Sequence, residues 1–182
     1  MAILDQLSEL SWWMERDAEP NRSDFERSVA LQPENPAHAA FLLDLYASTR
    51  AEELNLTGWD KTARETFVTT QFSLRQRGYA AMFPKAQFSI ITLDHQPIGR
   101  LVINRDDGEI RVVDIALLPG LRGRGIGTYL LRKILLEAQR ERRPVRLTVF
   151  KTNRAVQWYE RLGFLPRGEN GPYINMERPP ET

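Results

Sequence analysis

Arginine and glycine alternate in one short segment, and this combination is suited to binding an anion. The segment, which we call the glycine loop, is Arg122-Gly123-Arg124-Gly125-Ile126-Gly127-Thr128. Glycines let the backbone approach a ligand closely and adopt positive φ where a turn requires it. A helix that begins here would add unpaired backbone N–H groups and the positive end of its dipole, and both favour phosphate. The residue types therefore predict a cradle for a pyrophosphate, to which the two arginines add charge.

The spacing of these glycines argues against two common phosphate-binding loops. A P-loop has the pattern GxxxxGK followed by Ser or Thr, whereas no lysine follows these glycines. A dinucleotide-binding loop has GxGxxG and an acidic residue at the end of the next strand. Here the glycines follow GxGxG, and Lys151 stands after the next predicted strand. The pattern that fits is Arg-x-x-Gly-x-Gly between a strand and a helix.

The flanking segments predict the elements that hold the loop. Ile110–Leu118 is an apolar, strand-like run, and residues from Gly125 to about Glu141 have the periodicity of an amphipathic helix. The other predicted elements are a strand at 28–31, a helix from Pro36, a helix at 60–78 that Gly78 ends, strands at 88–93, 98–103 and 145–150, a helix at 153–162, and strands at 164–165 and 173–176. The order β-α-α-β-β-β-α-β-α-β-β predicts an α/β fold.

Composition and charge favour a soluble globular protein. The 182 residues are 42% hydrophobic and 27% charged, and the net charge of +1 gives no general attraction to nucleic acid or to membranes. The absence of cysteine excludes a disulfide, a thiolate nucleophile and a cysteine metal site, and with only two histidines we expect no metal site. No apolar run approaches the roughly 20 residues that a membrane span needs, and no signal peptide is evident. We expect a cytoplasmic protein.

Residues 1–24 are interpreted as an N-terminal extension, followed by one domain at 25–182. The apolar residues of the extension lie near helical spacing, and the polar stretch after them contains Pro20, as a linker would. Two interpretations stay open. The apolar stripe packs on its own domain, or it forms a homodimer contact or a surface for another partner.

A second motif lies between Asn153 and Phe164, where the sequence reads NRAVQWYERLGF. It resembles the segment N-x-x-A-x-x-x-Y-x-x-x-G-F of the GNAT (GCN5-related N-acetyltransferase) superfamily, with one residue fewer between Asn153 and Ala155. The glycine loop matches the signature Gln/Arg-x-x-Gly-x-Gly/Ala of the same superfamily. The two motifs occur in the expected order, separated by one strand. The resemblance covers about residues 26–178.

This resemblance implies a fold, a co-substrate and several residue roles. The fold would be a mixed, mainly antiparallel sheet of six to seven strands flanked by about four helices. The glycine loop would hold the pyrophosphate of acetyl-CoA, while the backbone of Ile115 and Leu117 would pair with its pantetheine arm. Asn153 would cap its helix and also touch the pantetheine. The hydroxyl of Tyr159 would protonate the departing thiolate as a general acid.

The general base is less clear from the sequence. Asp114 lies in an otherwise apolar strand, where a carboxylate costs free energy unless it is hydrogen-bonded or faces a cleft. Asp114 is therefore the best acidic candidate for deprotonating the amine, with a water relay as the alternative. It could equally be a structural carboxylate that accepts hydrogen bonds from nearby backbone N–H groups.

The function that follows is transfer of an acetyl group directly from acetyl-CoA to a primary amine in a ternary complex. Without cysteine, a cysteine-linked acetyl-enzyme is excluded. The acceptor is expected to be a small molecule or a peptide, and its identity stays open. The alternative is a non-catalytic acyl-CoA-binding or interaction module of the same fold. Tyr159 favours the enzyme, since a binder has no need of the phenol, although the ring could also serve only for packing.

Overall fold

The computed structural model describes residues 28–180, which form one α/β fold of seven strands and four α-helices. The helices are α1 (Ala39–Asn55), α2 (Lys61–Met82), α3 (Ile126–Arg140) and α4 (Ala155–Arg161). The strands are β1 (Val29–Pro33), β2 (Gln87–Leu93), β3 (Gln96–Arg105), β4 (Ile110–Leu117), β5 (Val145–Phe150), β6 (Leu165–Asn170) and β7 (Tyr173–Arg178). Short 3-10 helices at Pro36–His38 and Pro119–Leu121 precede α1 and the glycine loop. The predicted order of elements is confirmed, while the predictions for residues 1–24 lie outside the described residues.

The strands form one open sheet in the order β1-β2-β3-β4-β5-β7-β6. All neighbours are antiparallel except β4 and β5, which are parallel. The turn between β2 and β3 is formed by Asp94 and His95, whose φ values of 47° and 69° match the geometry of a tight hairpin turn. The described sheet is therefore the mixed, mainly antiparallel sheet that the resemblance implied.

Helices cover both faces of the sheet. On one face, which we call the α3/α4 face, residues of α3 and α4 such as Leu131 and Tyr159 pack on the sheet in the largest apolar cluster. The buried residues of α3 recur at helical spacing, so that one stripe of the helix faces the sheet. On the other, the α1/α2 face, Leu45 of α1 packs against Ile90 and Leu118. Side chains along each strand alternate between the two faces, so that the sheet contributes apolar residues to both clusters.

A β-bulge in β4 decides which face Asp114 occupies. Val102 of β3 pairs with Asp114 and the next residue of β3 pairs with Val112, so Val113 is an extra residue in β4. A regular strand would place Asp114 on the same face as Val112, inside the apolar cluster of the α3/α4 face. The bulge turns Asp114 to the α1/α2 face instead. A carboxylate is thereby tolerated in an apolar strand.

The sheet opens between β4 and β5. The two strands pair over three residues only, Ile110–Val112 with Val145–Leu147. Beyond Val112 and Leu147 they no longer pair, and β4 continues for five residues to Leu117. We call the space between these diverging ends the β4/β5 gap. The glycine loop begins just beyond the open end of β4, after the Pro119–Leu121 turn.

Several predicted boundaries are wrong, among them the end of α2 and the end of β6. The helix predicted to end at Gly78 continues to Met82, because a helical glycine costs only about 1 kcal/mol and the first strong stop is Pro84. The strand predicted at 164–165 extends over Leu165–Asn170, so that the predicted loop between the last two strands shortens to a turn at 171–172. Neither difference moves an element near the gap.

Candidate active site

The glycine loop ends in the open N-terminus of α3. Gly123 and Gly125 have φ of 75° and 84°, left-handed values that side chains with a Cβ rarely adopt, so glycine is required at both positions. The first intrahelical bond runs from the N–H of Tyr129 to the carbonyl of Gly125 at 2.9 Å. The N–H groups from Gly125 to Thr128 precede it and have no acceptor within the helix. These groups and the helix dipole make the glycine loop a candidate anion site, and the pyrophosphate cradle expected from the sequence stays a prediction.

The two arginines of the loop fasten it to its surroundings. Arg122 donates from Nε to the carbonyl of Leu117 at 2.9 Å and from Nη2 to Ser48 Oγ of α1 at 3.3 Å. Burial lowers the pKa of Arg122, and the nearby charge of Glu52 opposes that shift. Arg124 donates from Nε to the carbonyl of Gly120 at 3.1 Å. Both arginines thus hold the loop in shape besides adding positive charge.

The backbone of Ile115 and Leu117 faces the β4/β5 gap. The N–H of Leu118 donates to the carbonyl of Ile98 on β3 at 2.9 Å. The backbone polar groups of Leu118 therefore point toward β3 and away from the gap. Backbone groups alternate in direction along a strand, and those of Leu117 and Ile115 therefore point toward β5, where no strand pairs with them. An extended ligand in the gap could bind these groups as a strand would.

Tyr159 lies on the α3/α4 face of the sheet. Its side chain is only 6% exposed, and its ring packs 4.8 Å from that of Trp158 and 5.7 Å from that of Phe164, between centroids. Burial raises the pKa of Tyr159 well above its usual range, and the negative charge of Asp114 adds to the shift. The hydroxyl is therefore protonated at neutral pH and able to donate a proton or a hydrogen bond.

Trp158 connects this helix to the glycine loop, a role that no sequence pattern indicated. Its indole Nε1–H donates to Thr128 Oγ1 at 3.0 Å. A Cβ on Gly127 would lie 3.1 Å from the Trp158 ring, so the absence of a side chain at Gly127 lets the ring pack on the first turn of α3. Trp158 thereby fixes the position of α4, which carries Tyr159, relative to the anion site.

Asn153 lies between β5 and α4. Its Oδ1 accepts a hydrogen bond from the N–H of Ala155 at 2.8 Å, while α4 itself begins at Ala155 with Arg154 at the cap position. The capping bond expected from the sequence is present, but the boundary lies one residue later than a cap at Asn153 would give.

Asp114 approaches the gap from the α1/α2 face and is held by two arginines. Its Oδ1 lies 2.6 Å from Nη2 of Arg75 on α2, and its Oδ2 lies 3.6 Å from Nη1 of Arg100 on β3. Arg100 also donates from Nε to Glu34 at 3.0 Å. The partners of this carboxylate are therefore guanidinium groups. The sequence could not indicate them, since Arg75 is 39 residues away.

Two tyrosines flank Arg75 on the α1/α2 face. Its Nε donates to the hydroxyl of Tyr79 at 2.7 Å, and its guanidinium carbon lies 5.2 Å and 5.4 Å from the ring centroids of Tyr79 and Tyr46. Burial raises the pKa of Tyr79, and the charge of Asp114 acts in the same direction. Trp59 and Tyr173 pack edge-on against Phe67 and Phe150.

The chain resembles known acetyltransferases in sequence and in fold. The model of the acetyltransferase (GNAT) domain family matches residues 84–166, which include the glycine loop, Asp114 and Tyr159. PaiA N-acetyltransferase of Thermoplasma acidophilum, solved with coenzyme A, is 17% identical over 84% of this chain and 99% of that chain, with a TM-score of 0.62. An acetyltransferase of Thermus thermophilus is 20% identical over 84% and 97%, with a TM-score of 0.61. An acetyltransferase of Streptococcus agalactiae is 19% identical over 84% and 99%, with a TM-score of 0.58.

At these identities the solved structures show a shared fold. No curated protein matches the sequence. Across residues 28–180, every helix is too short or too polar to cross a bilayer.

Proposed function

We propose that the protein is an N-acetyltransferase that moves an acetyl group directly from acetyl-CoA to a primary amine, since the model of the acetyltransferase (GNAT) domain family matches residues 84–166. The observation that carries the proposal is the β4/β5 gap. It opens beside the glycine loop, with Tyr159 at one face of the sheet and Asp114 at the other. A thioester in the gap would have a proton donor on one side and a carboxylate on the other.

The glycine loop fits the pyrophosphate of coenzyme A. The N–H groups of Gly125 to Thr128 lack helical acceptors, and no described protein atom lies within 4 Å of the place where a Cβ on Gly123 would stand. A phosphate oxygen can therefore approach the backbone at this position. The backbone of Ile115 and Leu117 would then receive the pantetheine arm, which directs the thioester toward Tyr159.

Acetyl-CoA supplies the activated acetyl group, which passes to the amine nitrogen while the sulfur leaves as a thiol. Tyr159 gives its phenolic proton to the departing sulfur, which leaves as a thiol. Burial raises the pKa of Tyr159, so the phenol carries this proton at neutral pH. Asn153 orients the start of α4 and with it the phenol. Burial of the ring between Trp158 and Phe164 limits movement of the donor.

Asp114 is our candidate for receiving the proton of the amine, directly or through a water molecule. Its two oxygens differ in their surroundings: Oδ1 is held by Arg75 at 2.6 Å, whereas Oδ2 has the longer contact of 3.6 Å with Arg100. Oδ2 is therefore the atom that we expect to face the amine. Arg75 and Arg100 would fix the carboxylate while it takes part in proton transfer.

The test combines binding with turnover. We expect acetyl-CoA to raise the melting temperature of the protein, and thiol release to depend on an amine when a panel of amino acids, polyamines, aminoglycosides and peptides is screened. Stabilisation without turnover on any amine would contradict the proposal and favour a module that only binds acyl-CoA.

Two glycine variants distinguish the loss of coenzyme A binding from the general effect of backbone strain on stability. Gly123→Ala and Gly58→Ala both place a side chain at positive φ, 75° and 67°, with open space around the new Cβ. Each should cost about 1–2 kcal/mol of stability. Only Gly123→Ala should also weaken coenzyme A binding in calorimetric titration. Equal affinity of the two variants would remove the glycine loop from the site.

A further inference from the structure

On the α1/α2 face, Arg75 presents a fixed guanidinium next to Asp114, which lies in the part of β4 that no longer pairs with β5. Arg75 is restrained by its hydrogen bond to Tyr79, by its ion pair with Asp114 and by the rings of Tyr46 and Tyr79 on either side. Within residues 28–180 it uses Nε for Tyr79 and Nη2 for Asp114, which leaves Nη1 without a partner there. A planar guanidinium held in this way has donors in place for a carboxylate.

The charge that is accessible in this cluster is positive. Arg75 and Arg100 are balanced by Asp114 and Glu34, so the cluster offers no excess of negative charge to a polycation. The side chain of Arg75 is 31% exposed, whereas those of Asp114 and Arg100 are 8% and 3% exposed. A molecule that approaches from the α1/α2 face therefore has readier access to the guanidinium of Arg75 than to the carboxylate of Asp114.

An anion site and a carboxylate thus lie side by side at the place where the acceptor would bind. The co-substrate would reach the gap from the glycine loop, and Tyr159 occupies the α3/α4 face. The α1/α2 face therefore remains for the acceptor. On this face, Nη2 of Arg75 and Oδ1 of Asp114 are 2.6 Å apart. A molecule with a positive and a negative group close together complements this pair of charges.

We propose that the acceptor is an amino carboxylate, a small molecule that carries a primary amine and a free carboxylate. Its carboxylate binds the Nη1 edge of Arg75, and its amine lies beside Oδ2 of Asp114. This inference rests on the proposed N-acetyltransferase function and names the substrate class of the same site. Arg75 is then a residue that determines specificity for the acceptor.

The test compares acceptors that differ only in the carboxylate. Suitable pairs are tyrosine with tyramine, arginine with agmatine, and tryptophan with tryptamine, each assayed for thiol release at saturating acetyl-CoA. We expect at least one amino acid to exceed its decarboxylated partner in kcat/KM by about 10- to 100-fold, the usual effect of one charge-assisted hydrogen bond. Spermidine, kanamycin and a C-terminally amidated peptide complete the panel.

Variants of two arginines on α2 test whether the preference for acceptors with a carboxylate depends on Arg75. Arg75→Gln should reduce the ratio of kcat/KM within a pair to about one, while the KM for acetyl-CoA stays unchanged. Arg77→Gln changes an exposed arginine on the same helix and should keep the ratio. Because the ratio is measured on a single preparation, a partly unfolded variant does not alter it. Arg75→Lys should keep part of the preference, since the charge remains but the planar fork is lost.

Each outcome decides the question. A preference for amino acids that Arg75→Gln removes and Arg77→Gln keeps supports the inference. Equal or faster turnover of the decarboxylated amines overturns it, as does a preference that Arg75→Gln leaves intact. Turnover restricted to spermidine, kanamycin or the amidated peptide overturns it while the proposed N-acetyltransferase function stands. No thiol release with any amine contradicts that function and this inference together.

Discussion

The hydrogen bond between Trp158 and Thr128 should be an energetic link between the glycine loop and α4, the helix that carries Tyr159. The indole Nε1–H donates to Thr128 Oγ1 at 3.0 Å in a partly buried setting. Thr128→Val keeps the shape of the side chain but leaves the indole N–H without its acceptor, which should cost about 1–2 kcal/mol. Trp158→Phe removes the donor, and Thr128→Val should then cost almost nothing further. The expected coupling free energy is about 1 kcal/mol.

A double-mutant cycle measures this coupling. Urea unfolding of the wild type, both single variants and the double variant, followed by far-UV circular dichroism, gives the four free energies of unfolding. A loss of about 1 kcal/mol should lower the melting temperature by roughly 2–4 °C in a chain of this size. Calorimetric titration with coenzyme A extends the cycle to affinity, which we expect both single variants to lower.

A coupling free energy below about 0.3 kcal/mol lies within the error of additivity and would refute an energetic link between Trp158 and Thr128. In that case Trp158 would contribute only its packing on Gly127. Unchanged affinity for coenzyme A in Trp158→Phe, combined with normal coupling in stability, would limit the link to folding.

Three further predictions concern the catalytic phenol, the sheet and the pH dependence of stability. Tyr159→Phe should lower kcat by about 100-fold or more without changing coenzyme A affinity, and the melting temperature should change little because the ring contacts persist; full activity would exclude Tyr159 as the acid. Gly99→Ala would place a Cβ 2.4 Å from the carbonyl oxygen of Ala116, so it should destabilise the protein by about 2 kcal/mol or more in urea unfolding. The hydrogen bond from Arg105 lowers the pKa of Glu137. The stability that Arg105→Gln loses should therefore be full at pH 7, above the usual pKa of a glutamate, and should vanish as the pH falls through the lowered pKa of Glu137; a pH-independent loss would contradict this assignment.

The order of the elements was predictable because each carries a local signal. Strands such as β5 alternate buried and exposed residues, and α3 repeats its apolar residues at helical spacing. The end of α2 was not predictable from Gly78. The cost of one helical glycine is small, and the neighbouring residues outweigh it. Local signals therefore predict which elements exist more reliably than where they end.

The candidate site was predictable only where its residues follow one another in the chain. The glycine loop and the segment around Tyr159 are continuous motifs, and each lies beside the gap. The partners of Asp114 come from α2 and β3, and they depend on the pairing of distant strands. The bulge at Val113 could not be predicted from the alternation of side chains. A regular strand would bury the carboxylate of Asp114 in the apolar core, and only the bulge turns it to the other face.

The β4/β5 gap creates a strand edge inside the sheet rather than at its rim. Edges at a rim invite pairing with strands of other molecules, and proteins protect them with charge, proline or a covering element. The polar groups of Ile115 and Leu117 have β3 behind them, β5 across the gap and helices above and below. The side chains of a strand from another protein would point at the helices on both faces and clash with them. A slender chain without large side groups would avoid these clashes. This internal edge is therefore less open to pairing with strands of other proteins than an edge at the rim of the sheet would be.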